Sequence, residues 1–260
     1  MTLLAAEGLN KRFGGVQAAK DVSFALEAGE MLAIIGPNGA GKSTTFNMVG
    51  GQLRPDSGRV SLAGQDITGL PPREVCRMGV GRTFQVAQTF LSFTVIGNVQ
   101  MALIAHHGQT RRLLPDAMAM HRDAALALLD RVGMAAQAER PVGELAYGDV
   151  KRVELAIALA AAPRLLLMDE PTAGMAPAER SALMALVAGI ARSEGIGVLF
   201  TEHDMDAVFA HADRILVLVR GEIIARGRPE EVRADAEVQR VYLGHSGTRA
   251  ATRARRAAHG

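Results

Sequence analysis

Short apolar runs, separated by polar segments of helical length, predict a parallel β-sheet. The runs at 31–35, 165–168 and 198–200 are of the buried-strand type, because they carry almost no polar residue. Two further stretches, 59–66 and 215–225, each hold two short runs around a turn and predict β-hairpins. Strands that alternate with helical segments are typical of an α/β fold with helices on both faces of the sheet. We therefore expect an α/β protein.

The pattern changes between residues 89 and 148, where helical spacing replaces the strand-like runs. Over 117–132, apolar side chains recur on one face of a predicted helix, and Gly133 is a typical stop signal. Such a stripe, Met residues included, is more often core than ligand surface. The segment therefore predicts a helical insert in the α/β core, with these apolar residues packed inside: Met118, Ala125, Leu128, Leu129 and Val132.

Polar residues follow the predicted strands directly. Asp169 and Glu170 come after the strand at 165–168, and His203 closes the polar run after 198–200. The first predicted strand runs into a glycine-rich loop. Ligands of open α/β sheets bind beyond the carboxyl ends of parallel strands. We expect the three strand ends to converge on one crevice.

The glycine-rich loop matches G-x-x-x-x-G-K-[ST], the phosphate-binding loop, and predicts a triphosphate ligand. Its backbone N–H groups point inward, and the helix after it adds the positive end of its dipole. Lys42 is expected to reach the β- and γ-phosphates, and the Ser43 hydroxyl to bind Mg²⁺. The alternative, a turn that binds nothing, is disfavoured by the strand before it and the helical stretch after it. The residues expected to hold the triphosphate are Gly36, Pro37, Asn38, Gly39, Ala40, Gly41, Lys42, Ser43 and Thr44.

Composition narrows the class of protein. With 48% hydrophobic and 22% charged residues, the chain has the composition of a globular protein. A single cysteine, Cys76, cannot form an internal disulfide, which suits a reducing cytosol. No targeting segment is visible, and the most apolar region, 153–168, is too short and too charged to span a bilayer. We expect any membrane association to be through a partner.

The basic charge is concentrated at the carboxyl end. Residues 246–260 carry four arginines and no acid, and without them the formal net charge of +2 becomes −2. The rest of the chain lacks the basic stripe of a nucleic-acid groove, so no nucleic-acid partner is expected. The composition of the tail predicts a disordered end, with contact to anionic lipid headgroups as the alternative.

Together the motifs resemble the ATP-binding subunit of ABC transporters, over about residues 3–245. Any one motif is weak, but the ordered set is specific. The similarity extends to the branch of branched-chain amino acid importers, whose ATPases carry similar sequence segments. Here these segments are GRTFQ at 81–85, TVIGNV at 94–99 and YLG at 242–244. The family's motifs occur in order as Phe13 before the first sheet, Gln85 within GRTFQ, LAYGD at 145–149, LLLMDEP at 165–171, and His203 within TEHD.

The resemblance implies a role for each motif residue. Asp169 would hold Mg²⁺ through water, and Glu170 would polarise the attacking water. His203 would reach the γ-phosphate and the same water, and Gln85 would sense Mg²⁺ and the γ-phosphate. Phe13 would stack on adenine, worth ~1–3 kcal/mol. The alternatives are a core position for Phe13, a merely solvated His203, and ordinary surface acids at 169–170.

The signature segment departs from the family consensus, LSGGQ. In the family, this loop crosses a dimer interface and caps the γ-phosphate held by the opposite subunit. Ala146 cannot donate a hydroxyl hydrogen bond, but backbone N–H groups near Gly148 and the dipole of the predicted helix at 150–159 remain. Asp149 would either repel a triphosphate or act as a favourable first-turn acid of that helix, and we favour the second. The segment comprises Leu145, Ala146, Tyr147, Gly148 and Asp149.

The implied fold is a P-loop NTPase (RecA-like) core of the ABC ATPase type, with an antiparallel β subdomain and an inserted helical subdomain. The first part of the core, with the phosphate loop and Gln85, is expected at 1–88. The helical subdomain with the signature follows at 89–155. The second part of the core spans 156–245, and the Arg-rich tail spans 246–260.

The implied function is that of an ATP-binding and hydrolysing subunit of an importer for branched-chain or related amino acids, peripheral on the cytoplasmic face of the plasma membrane. The implied partners are a second ABC ATPase, with a heterodimer expected, two membrane-spanning permease subunits docked on the helical insert, and an extracytoplasmic solute-binding protein. Three alternatives stay open: an importer ATPase for urea, amides or other small organic solutes; a soluble ABC-type ATPase of DNA repair or translation; and a non-hydrolysing ABC subunit.

Overall fold

The computed structural model describes residues 2–83, 89–109 and 120–242. Of Tyr242 it describes only the backbone. Two 3₁₀ turns at Ala135–Gln137 and Val142–Glu144 accompany the regular elements. The strands are β1 (Thr2–Phe13), β2 (Val16–Glu27), β3 (Met31–Ile35), β4 (Ser57–Leu62), β5 (Gln65–Asp66), β6 (Val80–Thr83), β7 (Leu165–Asp169), β8 (Gly197–Thr201), β9 (Arg214–Val219) and β10 (Glu222–Gly227). The helices are α1 (Lys42–Val49), α2 (Pro72–Arg77), α3 (Val95–His106), α4 (Arg122–Arg131), α5 (Tyr147–Leu159), α6 (Pro177–Glu194), α7 (Met205–His211), α8 (Pro229–Ala234) and α9 (Ala236–Tyr242).

A six-stranded sheet forms the centre of the fold, in the order β10-β9-β3-β8-β7-β6. Its strands pair in parallel, except that β10 runs antiparallel to β9. The three apolar runs are the central strands β3, β7 and β8, as predicted. Both predicted hairpins are confirmed, as β4–β5 and β9–β10.

The two faces of this sheet bury different partners, because successive side chains of a strand point to opposite sides. In β3, Met31, Ala33 and Ile35 join a core built with α3, α4, α5 and α6. Leu32 and Ile34 join a second core, with α1 and the antiparallel sheet. The expectation of helices on both faces is therefore correct for the first face. On the second face, the antiparallel sheet shares the covering with α1 and with Val75 of α2.

The antiparallel sheet has the order β2-β1-β4-β5 and confirms the expected antiparallel β subdomain. The sequence patterns did not predict β1 and β2. Their register shifts at several points, between Ala6 and Leu9 for example, which breaks the alternation of apolar and polar residues. Phe13, expected before the first sheet, is the last residue of β1 and pairs with Val16. The expectation that Phe13 precedes the first sheet was therefore wrong, because Phe13 is itself part of β1.

The helical insert is confirmed over its described residues, with one helix start corrected. Ala125, Leu128, Leu129 and Val132 are buried as predicted, and Gly133, with φ 72°, follows the end of α4. However, α4 begins at Arg122, because His121 has a left-handed backbone with φ 55°. The predicted helix at 117–132 is therefore wrong at residues 120 and 121, and Met118 lies outside the described residues.

Within the parts of the chain that the structure describes, no helix combines the length and the apolar character needed to cross a membrane.

Candidate functional site

The carboxyl ends of the three central strands meet at one edge of the six-stranded sheet. β8 lies between β3 and β7, and all three are parallel. β3 leads into the glycine-rich loop, β7 into Glu170, and β8 into Glu202 and His203. The polar strand ends therefore converge at one edge of the sheet, as predicted.

The glycine-rich loop requires glycine at its two ends. A Cβ atom on Gly41, where φ is +103°, would lie 2.2 Å from the carbonyl oxygen of Ala18. A Cβ atom on Gly36 would lie 2.2 Å from the carbonyl oxygen of Leu218. The loop therefore packs directly against neighbouring backbone, and α1 begins at Lys42, as predicted.

Lys42 lies inside this loop, with 7% of its surface exposed. Its ammonium group donates hydrogen bonds to the carbonyl oxygens of Gly36, at 2.7 Å, and Pro37, at 3.2 Å. Burial lowers the pKa of Lys42, and the charges of Glu170 and Asp169 oppose that shift. The Lys42 ammonium group in the loop after β3 and the two carboxylates at the end of β7 thus interact electrostatically, which the sequence alone did not establish.

Asp169 is the last residue of β7 and is held by the neighbouring strand. Thr201 is its register partner on β8, and the Thr201 hydroxyl donates to Asp169 Oδ1 at 2.6 Å. The guanidinium group of Arg82 lies 4.0 Å from Asp169 Oδ2 and donates to Asn47 Oδ1 at 2.9 Å. Desolvation lowers the pKa of Arg82, against the attraction of Asp169. Sequence reasoning missed Arg82, although it lies within the GRTFQ segment at 81–85.

Glu170 turns away from the sheet through a left-handed backbone, with φ 49°. A non-glycine residue in this region is uncommon, and such strain, on the order of 1–3 kcal/mol, concentrates at functional sites. The Glu170 N–H group donates to both the carbonyl and the hydroxyl oxygen of Thr201, at 3.1 Å each. The turn brings Glu170 Oε1 to 2.6 Å from His203 Nε2. The expected acid and the expected histidine therefore meet.

Phe13 is half-exposed at the amino-terminal sheet. Its side chain has 50% of its surface accessible, and the ammonium group of Lys11 lies 5.8 Å from the ring centroid. The alternative that Phe13 packs in the core is therefore wrong, because half of its surface is accessible. Gln85 lies outside the described residues.

The signature segment forms the beginning of α5. Ala146 is the N-cap residue, and Tyr147, Gly148 and Asp149 make the first turn. The predicted start at 150 was three residues late, because Tyr147 and Gly148 are weak sequence signals for a helix. Asp149 Oδ2 accepts a hydrogen bond from Gln137 at 3.3 Å. Its position supports the interpretation as a first-turn acid.

The signature also contacts the segment that follows β7. A Cβ atom on Gly174 would lie 3.5 Å from the ring of Tyr147, and one on Gly148 would lie 3.4 Å from the carboxyl group of Glu179. Tyr147 is 45% exposed. The signature turn and the turn at 172–175 are thus neighbours within one subunit.

Comparisons with known proteins identify the family of the chain. The model of the ABC transporter family matches residues 19–173, and a model described as a branched-chain amino acid ATP-binding cassette transporter matches residues 222–248. The high-affinity branched-chain amino acid transport ATP-binding protein LivG of Salmonella typhimurium is 40% identical over 254 residues, which cover 94% of this chain and 98% of that protein. The lipopolysaccharide export system ATP-binding protein LptB of Haemophilus influenzae is 35% identical, with 94% and 98% covered.

A solved structure has the same fold over nearly the whole chain. An ATP-binding cassette of an ABC transporter in its ADP conformation superposes with a TM-score of 0.85 and 33% identity, covering 94% of this chain and 99% of that one. The chain therefore belongs to the ABC transporter family and is one of its ATP-hydrolysing cassettes.

Proposed function

We propose that this chain is the ATP-hydrolysing subunit of an importer for branched-chain or related amino acids. The observation that carries the proposal is the contact between Glu170 Oε1 and His203 Nε2, 2.6 Å apart beside the phosphate loop. The amino acid substrate rests on the LivG likeness and on the branched-chain cassette model at the carboxyl end. The likeness to LptB, a protein of an export system, makes the substrate the part most in need of a test.

The phosphate loop would hold the triphosphate of ATP. Its backbone from Gly36 to Thr44 supplies N–H donors, and α1 adds its positive dipole end. Lys42 exchanges its loop carbonyls for phosphate oxygens, which are stronger acceptors because they are charged. Phe13, exposed and flat, stacks on adenine.

The residues present fit a magnesium ion. The Ser43 hydroxyl is exposed on the first turn of α1, and the Asp169 carboxylate is partly exposed at the end of β7. Hydroxyl and carboxylate oxygens are the ligands that Mg²⁺ prefers. The ion would neutralise charge on the phosphates. Gln85, outside the described residues, is proposed as a further contact of Mg²⁺ and the γ-phosphate.

Glu170 is proposed as the general base for the attacking water. Its carboxylate is 21% exposed, so water reaches it. His203, whose side chain is 49% exposed, contacts that carboxylate at 2.6 Å. A positioned base contributes ~10²–10⁴-fold to rate. The presence of both groups in contact argues against a non-hydrolysing subunit.

A complete site requires a second subunit, because the phosphate loop and the signature of one chain serve different nucleotides. The signature at 145–149 would cap the nucleotide of the partner with the N–H groups of α5's first turn. We propose a heterodimer, since the substitution at Ala146 makes the two sites unequal when the partner retains serine. The division into core (1–88 and 156–245), helical subdomain (89–155) and tail (246–260) belongs to the same proposal.

The helical subdomain is proposed as the docking surface for the permease subunits. Phe90, Leu91 and Phe93 precede α3 and are 56%, 61% and 43% exposed, and Met101 on α3 is 37% exposed. A cluster of large exposed apolar side chains is typical of a protein contact. Asn98 holds the segment in place, accepting from the N–H group of Phe90 at 2.8 Å and donating to its carbonyl at 3.1 Å. Docking there would keep the chain peripheral on the cytoplasmic face, while a binding protein delivers the solute from the other side.

The test is uptake by the reconstituted transporter. The chain is incorporated into proteoliposomes with its partner ATPase, permeases and solute-binding protein, and labelled leucine, urea and acetamide are offered separately. We expect ATP-dependent uptake of leucine, and none with Lys42→Ala, while Lys20→Ala, which removes an exposed ammonium elsewhere, retains it. Uptake of urea or acetamide in place of leucine would favour the small-solute alternative.

A further inference from the structure

Glu202 is a buried carboxylate next to His203, and although it lies within the TEHD motif, the sequence analysis gave it no role. It directly precedes His203 and has 4% of its surface exposed. Burying a carboxylate is costly unless its oxygens are hydrogen-bonded. The partners of Glu202 therefore indicate what it does.

Both oxygens of Glu202 accept hydrogen bonds, one from the turn after β7 and the other from the turn after β8. Oε1 accepts from the N–H group of Thr172 at 2.9 Å and from the Thr172 hydroxyl at 2.7 Å. Oε2 accepts from the N–H group of His203 at 3.2 Å. Thr172 is 1% exposed and lies two residues after Glu170. One carboxylate therefore joins the turn after β7 to the turn after β8.

These contacts form a closed ring that includes Glu170 and His203. Covalent bonds link Glu170 to Thr172 and Glu202 to His203. Hydrogen bonds complete the ring, from Thr172 to Glu202 and from His203 to Glu170 at 2.6 Å. Glu170 and His203 are partly exposed, whereas Glu202 and Thr172 are buried. The buried pair thus supports the position of the exposed pair.

A second link ties the same two turns together. Asp204, directly after His203, accepts from the N–H group of Ala207 at 3.0 Å and forms an ion pair with Arg180 on α6. Arg180 in turn donates to the carbonyl oxygen of Met175 at 3.0 Å. The residues on both sides of His203 are therefore attached to the segment at 172–180.

We propose that Glu202 is a positioning residue for ATP hydrolysis, which holds His203 against Glu170 by binding Thr172. This inference rests on the proposed roles of Glu170 and His203. A carboxylate suits the position because it only accepts, and all three of its partners donate. An amide would present its NH₂ group to at least one N–H group.

The first test is Glu202→Gln in the reconstituted transporter. The amide keeps an oxygen for Thr172 only by turning its NH₂ group toward the His203 N–H group, which loosens the histidine. Because a misplacement of about 1 Å can cost ~10²-fold in rate, we expect kcat to fall about ten- to hundredfold. KM for ATP should stay within about threefold, since the phosphate loop is on another strand. Glu230→Gln, the same change at an exposed position on α8, is the matched control and should leave both constants unchanged.

The second test asks whether Glu202 acts through His203. His203→Ala is measured alone and combined with Glu202→Gln, in single turnover so that slow rates are resolved. If the glutamate works by holding the histidine, the double variant has the kcat of His203→Ala within about twofold. Losses that multiply, or a wild-type kcat for Glu202→Gln, would overturn the inference while leaving the proposed function intact. A wild-type rate for His203→Ala would remove both the role proposed for His203 and the inference built on it.

Variants of Thr172 keep the proposal testable if Glu202→Gln does not fold. Thr172→Val loses the hydroxyl bond and keeps the N–H bond, so kcat should fall about three- to tenfold. Thr172→Ser keeps both donors, so its kcat should equal that of the wild type. Equal activity of the Val and Ser variants, or a loss from Thr172→Val that persists in the His203→Ala background, would contradict the inference.

Discussion

The phosphate loop and the group of Asp169, Glu170 and His203 lie at the same edge of the six-stranded sheet but are built in different ways. The loop is nine consecutive residues, shaped by backbone conformation and closed by the bonds from Lys42 to its own carbonyls. The acid–histidine edge joins two segments more than thirty residues apart through side-chain hydrogen bonds. A local site depends on few residues outside itself. A site assembled from two strands depends on every contact that holds the strands' ends in place.

The largest expected effect falls on the assembled edge. Glu170→Gln keeps the shape of the side chain but removes the base, so ATP hydrolysis should slow by ~10²–10⁴-fold while nucleotide binding remains. Phosphate release and calorimetric affinity are measured on the same preparation. Wild-type hydrolysis would move the base elsewhere, with His203 the next group to test.

The same variant sharpens the heterodimer proposal. The signature of the partner caps the site built from Lys42, Asp169 and Glu170, so this site is expected to be the faster one when the partner retains the consensus serine. Glu170→Gln should then cost more turnover than the equivalent change in the partner. Equal losses, or full activity of this chain alone as a homodimer, would count against the asymmetry.

The phosphate loop should lose affinity instead of rate. Lys42→Ala removes a charge-assisted bond to phosphate worth ~1.5–3 kcal/mol, so ATP should bind about ten- to hundredfold more weakly. Calorimetry measures the dissociation constant, and Lys20→Ala controls for the loss of a surface charge. Undiminished binding of ATP by Lys42→Ala would contradict the assignment of the loop.

The packing of the loop gives a stability prediction independent of ATP. Gly36→Ala places a methyl group 2.2 Å from the Leu218 carbonyl oxygen and should cost ~1–3 kcal/mol in the free energy of unfolding, as overpacking does. Gly189→Ala, in the interior of α6 with open space around it, should instead stabilise by about 0.5–1 kcal/mol. Urea denaturation of both variants measures the contrast, and a stable Gly36→Ala protein would contradict the close approach of the loop to β9.

A smaller effect is expected at the signature. Ala146 and Ala176 are N-cap residues of α5 and α6, with no side-chain cap bond. Serine at either position should stabilise its helix by ~0.5–2 kcal/mol. Only Ala146→Ser should also strengthen the ATP-bound dimer, by ~0.5–1.5 kcal/mol for one hydrogen bond. Dimer formation measured by size-exclusion chromatography separates the two effects, and equal behaviour of both variants would exclude a direct contact of residue 146 with the nucleotide.

The smallest expected effect is at the carboxyl end. Residues 246–260 lie outside the described residues, and their sequence has no apolar periodicity with which to pack. Their deletion should leave the melting temperature and ATP turnover unchanged. A large loss in either would mean that the tail docks on the core or on a partner.

The sequence by itself determined the strands β3, β7 and β8, the two hairpins β4–β5 and β9–β10, the phosphate loop and the family. Buried strands are apolar runs, and a loop whose backbone binds phosphate needs glycines at fixed spacing, so both are written in consecutive residues. Only the tertiary structure decided that Glu170 turns toward His203, because the turn uses a left-handed backbone at a glutamate, which no local pattern announces. The same holds for Glu202 on Thr172, for the exposure of Phe13, and for the start of α5 within the signature. The contact of Glu202 with Thr172 exists because β7 and β8 lie side by side, and contacts between distant segments are set by packing rather than by neighbours in the chain.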